Sequence, residues 1–388
     1  MTNVWVASTP AVDQMQFAVQ FFPDVRPEQK SAADYFRDAL TFAEASEKLG
    51  FSHIRIVEHY FHYYGGYSPN PMLFLAAAAQ RTRRARLVTG AVLPIFNHPL
   101  KLAGEIGMLD AISDGRLDVG FARAFLPHEF RRFGRSPDES VARFREGLEQ
   151  VELLLTRENV THGGQFHTIE NTTSLPRPTQ KPRPKFYIAA QNTPDSFAFA
   201  GRMGHSIMAI PLTGALMRER LSAYRAAWKE AGHPGKGEVM LAFHMFCDSD
   251  GVRARAVAAP LLDAYLCSLV EAAGDWLDGR TSADYPGYDR MIDKLRRSTA
   301  ADQIASGAAW IGSPDEIIAA IERCRDAFGG FEHASLQVNF NIMPLAAAQA
   351  SMRLFAEKVM PRFTAGSRSG DRRRVLRRSL MQVPPGVG

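Results

Sequence analysis

Short runs of β-branched and aromatic residues alternate with longer helical segments along most of the chain, and no other feature of the sequence restricts its fold as strongly. Such an alternation favours a parallel sheet whose strands are joined by crossover helices. The runs predicted as strands are 15–22, 51–59, 86–93, 115–123, 185–190, 205–210, 238–246 and 334–340. Eight strand–helix units that close on themselves predict an α/β fold of the (β/α)8 type, a TIM barrel, in which the chemistry belongs to the loops after the strand C-termini.

Capping residues mark several helix boundaries. A helix is predicted from about Ser31 to Leu49, with Gly50 as its C-terminal cap. The segments 136–139 and 313–316 each read Ser-Pro-Asp-Glu, which predicts a capping box with proline in the first turn. The segment 193–196 repeats the cap and the proline directly after the fifth strand.

Two stretches are longer than a minimal barrel needs. The segment 160–183 reads as a hairpin followed by a proline-rich connection, and 274–308 separates the helix after the seventh strand from the eighth unit. A connection as long as the second is typical of a lid or binding loop. We therefore expect one barrel over 15–365 with these two insertions, an N-terminal extension at 1–14 and a disordered arginine-rich tail at 366–388.

The excess of basic residues is confined to that tail. The 388 residues carry a net charge of +5, and 366–388 hold six arginines and one acid, so the rest of the chain is neutral. A nucleic-acid-binding domain needs basic residues spread over a folded face. We therefore expect no nucleic-acid partner.

The sequence shows no signal for secretion or membrane insertion. The N-terminus has no basic segment followed by an apolar one, and no apolar run reaches about 18 residues. The cysteines at 247, 267 and 324 are odd in number and lie outside any metal-ligand spacing, so they read as reduced thiols. We expect a cytoplasmic protein with no membrane partner.

The predicted strand ends carry a small set of polar and small residues. They are Glu58 and His59, then 89–91, Arg123, and Gln191 with Asn192 before a capped helix. This set offers an imidazole, an arginine and a helix N-terminus for a phosphate, and a surface on which a flat ligand could lie. No acidic ligand cluster accompanies the histidines at 53, 59 and 62, so no metal is expected. Neither a GxGxxG after a strand nor a P-loop motif is present.

Six segments over about 15–363 resemble, in order, the bacterial luciferase-like monooxygenase family. They are GFSHIRIVEHYF, VTGAVLPIFNHP, LDAISDGRLDVGFARAFLPHEFRRFG, YIAAQNTPDS, PGYD and WIGSPDEIIAAIE. The resemblance implies a luciferase-type barrel with a lid before the eighth unit. It also implies a two-component enzyme that binds FMNH2 supplied by a separate NAD(P)H-flavin reductase and forms a C4a-hydroperoxyflavin with O2. A homodimer is expected by the same analogy.

The expected reaction is oxygenation of a small hydrophobic organic substrate. Hydroxylation, epoxidation and Baeyer–Villiger or aldehyde oxidation remain open. One alternative is a deazaflavin-dependent oxidoreductase that transfers hydride on the same barrel. A second is a non-catalytic flavin-binding protein, because a fold does not dictate an activity.

The resemblance assigns catalysis to His59 and a supporting position near the flavin to Glu58. Imidazoles suit acid–base work because they can give or take a proton near neutral pH. The plainer interpretations are that His59 is a buried histidine whose hydrogen bonds are made inside the barrel, and that Glu58 is a structural carboxylate.

The resemblance also implies a cofactor site. Gly90 and Ala91 fall where the family has a non-proline cis peptide under the flavin ring, and Arg123 matches its phosphate-binding arginine. The other expected contacts are Phe125, Ala190, Gln191, Asn192 and Ser196. For Arg123, the plainer interpretation is a surface salt bridge. Ala122 stands where some luciferases have a reactive cysteine.

Aromatic residues near His59 suggest a substrate pocket. Those expected to form it are Phe22, Phe61, Tyr63, Tyr64 and Tyr67. Ordinary packing beneath the lid would explain the same residues.

Overall fold

A computed structural model describes residues 14–191, 193–279 and 281–364. The predicted arginine-rich tail and nearly all of the N-terminal extension lie outside these residues. The strands are β1 (Gln16–Phe21), β2 (His53–Ile56), β3 (Arg86–Val92), β4 (Leu117–Phe121), β5 (Val160–Gly163), β6 (Thr168–Thr172), β7 (Lys185–Ala189), β8 (Ser206–Ala209), β9 (Val239–Cys247), β10 (Ala309–Gly312) and β11 (His333–Gln337).

The α-helices lie between the strands. They are α1 (Ala32–Leu49), α2 (Pro71–Arg81), α3 (Pro99–Ile112), α4 (Pro127–Arg132), α5 (Ser140–Thr156), α6 (Pro194–Arg202), α7 (Gly214–Glu230), α8 (Gly251–Ala272), α9 (Tyr288–Arg296), α10 (Ala300–Ser306), α11 (Pro314–Phe328) and α12 (Leu345–Lys358). Within the described ranges, no helix is long and apolar enough to span a bilayer.

Eight parallel strands close into a barrel, as the sequence predicts. Their order is β9-β11-β1-β2-β3-β4-β7-β8, and pairing of β8 with β9 completes the ring. The short strand β10 was missed; it pairs with the outer part of β9 and is not a barrel strand. Trp310 of β10 stacks on Phe243 of β9 at a centroid distance of 3.9 Å, which fixes the added strand.

The helix caps agree with the sequence except at two places. Ser31 and Gly50 cap α1, and Ser313 with Glu316 forms the predicted capping box of α11. The segment 136–139 instead forms a 3₁₀ turn, and α5 begins only at Ser140. Thr193 makes no capping hydrogen bond because its hydroxyl pairs with that of Ser196 at 2.7 Å.

The two insertions differ in kind. Residues 160–183 contain the antiparallel hairpin β5–β6. The second, 274–308, holds a 3₁₀ turn (Gly274–Trp276), α9 and α10. It is called the insertion below.

The barrel interior is closed in the middle. Val88, Tyr187, Met208 and Met240 form a buried apolar cluster there. Gly120 has no room for a side chain, because a Cβ would lie 2.3 Å from the Thr89 carbonyl and 2.4 Å from Met208 Cε. This apolar layer closes the barrel below the C-terminal ends of the strands. A ligand of the barrel therefore enters from the C-terminal end.

Candidate active site

His59, in the loop after β2, pairs with a carboxylate that the sequence did not single out. Its Nδ1 lies 3.1 Å from Oε1 of Glu129 on α4, and the same oxygen accepts the Tyr60 backbone N–H at 2.9 Å. Glu129 is fully buried, and its Oε2 has no hydrogen-bond partner among the described residues. A proton held on Nδ1 by the carboxylate leaves Nε2 as an acceptor, which is the arrangement of an oriented acid–base histidine.

Glu58 contacts different groups from its neighbour His59. Its Oε1 accepts hydrogen bonds from the Tyr60 hydroxyl at 2.6 Å and from Asn97 Nδ2 at 2.8 Å. Burial raises the pKa of Glu58 to about 8, and repulsion from Glu129 acts in the same direction. A carboxyl with this pKa is mostly protonated at pH 7, so it adds little negative charge beside His59.

Aromatic rings surround the imidazole. The His59 ring lies 5.4 Å from Phe22, 5.7 Å from Tyr64 and 5.9 Å from Phe125, measured between centroids. Tyr265 of α8, which the sequence did not indicate, joins them at 5.4 Å from Phe22, and its hydroxyl is hydrogen-bonded to that of Tyr64. We call these five rings the His59 cluster.

Three predicted pocket residues make their closest ring contacts elsewhere. Phe61 is 53% exposed and packs on Phe133, with 5.3 Å between the ring centroids. Tyr63 lies under the Arg26 guanidinium, which is 3.7 Å from its ring centroid. Tyr67 donates a hydrogen bond to the Lys30 carbonyl and packs on Tyr35 of α1. Of the three tyrosines predicted to line the pocket, Tyr64 is therefore the one that packs in the His59 cluster.

Arg123 follows β4, two strands further round the barrel from the strand that precedes His59. Its Nη1 donates to the Asp284 carbonyl at 3.1 Å, and its guanidinium carbon lies 5.0 Å from the Tyr285 ring centroid. Tyr285 in turn donates to the Ala124 carbonyl at 2.7 Å. Arg123 forms no salt bridge within the described ranges, so its charge is free to bind an anion.

The insertion also contacts the other predicted cofactor residues. The Trp276 indole donates to the Phe125 carbonyl at 2.8 Å, and the Tyr288 hydroxyl donates to Gln191 Oε1 at 3.1 Å. Ala190 is buried and donates its N–H to the Met208 carbonyl. Ser196 lies in the first turn of α6, whereas Asn192 is outside the described residues.

The peptide bond between Gly90 and Ala91 is cis, at the place where the resemblance predicted one. Gly90 is required here because a Cβ would lie 2.0 Å from Nε of Arg55. The Gly90 carbonyl accepts a hydrogen bond from Nη2 of Arg55 at 3.0 Å. The Arg55 side chain therefore packs directly on the β3 backbone at Gly90, and the small residue Ala91 follows.

Comparison with known sequences decides the family. The profile of a family described as "Luciferase-like monooxygenase" matches residues 15–330. The chain belongs to the luciferase-like monooxygenase family. The His59 cluster and Arg123 both lie within the matched span.

Three relatives of this luciferase-like protein are informative. The crystal structure of monooxygenase RslO1 from Streptomyces bottropensis is 44% identical, covers 90% of this chain and 100% of its own, and gives a TM-score of 0.81. The oxygenase component of a flavin-dependent trigonelline monooxygenase from Acinetobacter baylyi is 31% identical over 60% of this chain and 65% of its own. An F420-dependent glucose-6-phosphate dehydrogenase from Beutenbergia cavernae is 27% identical over 87% and 97%. Matches to the first curated relatives span 61–65% of their lengths.

Three functional candidates of this luciferase-like barrel were missed by sequence reasoning. Glu129 stands in the segment PHEFRR, where it resembles any charged residue on a short helix. Tyr265 is one of many apolar residues along α8, and Arg55 is a single cation in the middle of β2. Alternation along 53–57 puts Arg55 on the same face as His53 and Val57, but it does not show whether that face is buried.

Proposed function

We propose that this protein is the oxygenase of a two-component FMN-dependent monooxygenase acting on an organic substrate. The observation that carries the proposal is the 44% identity to the monooxygenase RslO1 over the full length of that chain. The oriented His59–Glu129 pair supports it, as does Arg123, which forms no salt bridge within the described residues. Such an enzyme needs a proton-transfer group and a phosphate contact at the same barrel mouth.

The described residues fit FMN. Arg123 would bind the phosphate, with Gln191 and the first turn of α6 beside it. The small residues Gly90 and Ala91 would lie against the flat ring, beside Arg55. When bound in its reduced form, FMN would supply the two electrons that activate O2, of which one oxygen atom would enter the substrate and the other would leave as water.

The chain's own residues would hold the proton and exclude water. Glu129 orients His59 so that Nε2 faces a proton donor or acceptor, and Glu58 braces the loop through Tyr60 and Asn97. The rings of the His59 cluster would shield the reacting groups. Trp276, Tyr285 and Tyr288 of the insertion would close the cofactor side through their hydrogen bonds.

The proposed partner protein follows from the two-component mechanism. A separate NAD(P)H-flavin reductase would supply the reduced flavin, as the name "oxygenase component" of the Acinetobacter relative implies for that protein. The homodimer and the cytoplasmic location remain predictions.

The second candidate is a deazaflavin-dependent oxidoreductase. It is favoured by the 27% identity to the F420-dependent dehydrogenase, which covers 97% of that relative. Both cofactors would place a phosphate near Arg123, so this residue does not separate them.

Anaerobic titration separates the two candidates. Purified protein is titrated with reduced FMN, oxidised FMN and reduced deazaflavin, and binding is followed by calorimetry. We expect reduced FMN to bind at least roughly tenfold more tightly than the deazaflavin. Preference for the deazaflavin would refute the proposal, and binding of neither would favour a protein that has lost the activity.

A further inference from the structure

A row of polar side chains crosses four neighbouring strands inside the barrel. Arg55 of β2, Gln20 of β1, Gln337 of β11 and His244 of β9 are direct register partners, each opposite the next. Partners in register on parallel strands point to the same face of the sheet, which here is the barrel interior. We call these four residues the polar row.

The cation of the polar row lacks a counter-ion. Arg55 is 8% exposed, and its protein partners are uncharged: Nη1 donates to Gln20 Oε1 at 2.6 Å and Nη2 to the Gly90 carbonyl. Across the described ranges, Arg55 takes part in no salt bridge. Burial lowers its pKa to about 10, so it is still charged at pH 7. A buried charge without an opposite charge is costly to the fold.

Other members of the row also lack partners. Gln337 Nε2 and His244 Nε2 are buried atoms with no hydrogen-bond partner in the described structure. Burial lowers the pKa of His244 to about 3, so its ring is neutral and does not compete with Arg55 for an anion. Such groups normally bind protein, water or a ligand.

Solvent reaches the barrel interior beside the row at two positions. Ala242 of β9 and His244 are partly exposed inside the barrel, although the strand is otherwise buried. Tyr265 lies above the row, with its ring 4.5 Å from His244 and 5.4 Å from Phe22 of the His59 cluster. A molecule in this space would therefore contact the polar row at one end and the His59 cluster at the other.

The row faces the cofactor side across the barrel. It occupies β9, β11, β1 and β2, whereas Arg123 and Gln191 follow β4 and β7 in the opposite half of the strand order. A flavin with its phosphate at β4 and β7 and its ring on Gly90 and Ala91 of β3 would leave β9, β11 and β1 for the substrate. Arg55 would lie at the border between the two, through its hydrogen bond to the Gly90 carbonyl.

We propose that Arg55, with Gln337 and His244, binds an anionic oxygen of the substrate, a carboxylate or a deprotonated hydroxyl on an otherwise apolar ring system. This inference rests on the proposed function. It narrows the expected substrates from hydrophobic molecules in general to apolar ring systems that carry one negatively charged oxygen. Arg55 supplies the opposite charge, and the Gln337 amide donates the second hydrogen bond. His244 completes the pocket as a neutral partner.

Two naphthalene probes of equal shape test the charge preference. The protein, with and without FMN, is titrated calorimetrically with 2-naphthoate and with 2-naphthamide. We expect the naphthoate to bind roughly 10- to 100-fold more tightly, since hydrogen bonds to charged groups are the strong ones. Equal affinities would overturn the proposal.

Variants of the row locate the effect. Arg55→Met is expected to abolish the preference, and Gln337→Leu, which keeps the cation, to reduce it by about threefold. Arg26→Met removes a cation from the rim of the mouth and is expected to leave the preference unchanged. Retention of the preference in Arg55→Met, or in Gln337→Leu if the first variant does not fold, would refute the assignment.

The same variants separate this inference from the proposed function. Weaker binding of reduced FMN by Arg55→Met, with the probe preference retained, would assign the row to the flavin and overturn the substrate role. Failure of the wild type to bind reduced FMN would refute the proposed function, while the titrations without FMN would still test the row.

Discussion

The two halves of the barrel mouth are built differently. On the β4–β7 side, Arg123 and Gln191 are covered by the insertion, whose Tyr285 and Tyr288 hydrogen-bond to the strand ends. On the β9–β2 side, the polar row lies below the rim, among strand residues. The first half has its polar groups on loops that a separate segment can cover or uncover, and the second has them fixed in the sheet. Under the proposed function, the covered loops of the β4–β7 side suit a cofactor that enters and leaves. The fixed side chains of the β9–β2 side suit a substrate group that is held rigidly.

The largest predicted effect concerns the His59 cluster. His59→Gln is expected to lower product formation by at least roughly 100-fold, because it removes a positioned acid–base group. Binding of reduced FMN should stay within about twofold, since Arg123 is untouched. The measurement is product formed with a flavin reductase and a panel of aromatic acids. Unchanged product formation would remove His59 from the mechanism.

The next effect concerns the cofactor half. The wild type is expected to bind FMN more tightly than riboflavin, and Arg123→Met to reduce this preference by roughly 10- to 100-fold through loss of a charge-assisted phosphate contact. Fluorescence titration with both flavins measures it. Arg37→Met is the control, because Arg37 pairs with Asp34 on the exposed surface of α1. An undiminished preference in Arg123→Met would place the phosphate elsewhere.

The raised pKa of Glu58 predicts that the free energy of unfolding depends on pH. Burial raises the pKa of Glu58 to about 8 in the folded protein, whereas an ordinary glutamate side chain has a pKa of 4.5. The folded state therefore binds more protons in this window, and the free energy of unfolding falls as pH rises, by at most about 1.4 kcal/mol per pH unit for one proton.

Glu58→Gln should remove that part of the slope. Denaturant unfolding at pH 6 and 7 should give a smaller loss of stability in the variant than in the wild type. Glu44→Gln, on the surface of α1, should keep the wild-type slope. Equal slopes for wild type and Glu58→Gln would show that Glu58 is ionised in the folded state.

The smallest effect concerns the cover over the cofactor half. Tyr285→Phe removes the hydrogen bond to the Ala124 carbonyl, which is worth about 1 kcal/mol, so the insertion should open about fivefold more often. Trypsin cleavage at Arg290 and Lys294 of α9 reports that opening. Tyr265→Phe, in the other half, should leave the cleavage rate unchanged. Equal rates in all three proteins would mean that Tyr285 does not hold the insertion.

The barrel could be predicted from the sequence because its strands and helices each leave a pattern in neighbouring residues. Alternation gave the eight barrel strands, and the strand ends indicated His59 and Arg123. Partners distant in the chain leave no such pattern: Glu129 is 70 residues from His59, and Asp284 is 161 from Arg123. The strand β10, which was missed, runs directly into the capping box of α11.

Arg55 was missed for a different physical reason. Polar residues alternating with apolar ones usually face solvent. In this barrel the alternate face is the interior, and its C-terminal end is lined by polar side chains. A polar residue in mid-strand therefore reads as exposed in the sequence but is buried in the fold.

The division of the mouth into two halves is tested most directly by two variants against two ligands. Arg123→Met and Arg55→Met are each titrated with reduced FMN and with 2-naphthoate. The account predicts that Arg123→Met weakens FMN and spares the naphthoate, and that Arg55→Met does the reverse, each loss being roughly tenfold or more. Two variants that weaken the same ligand would contradict it.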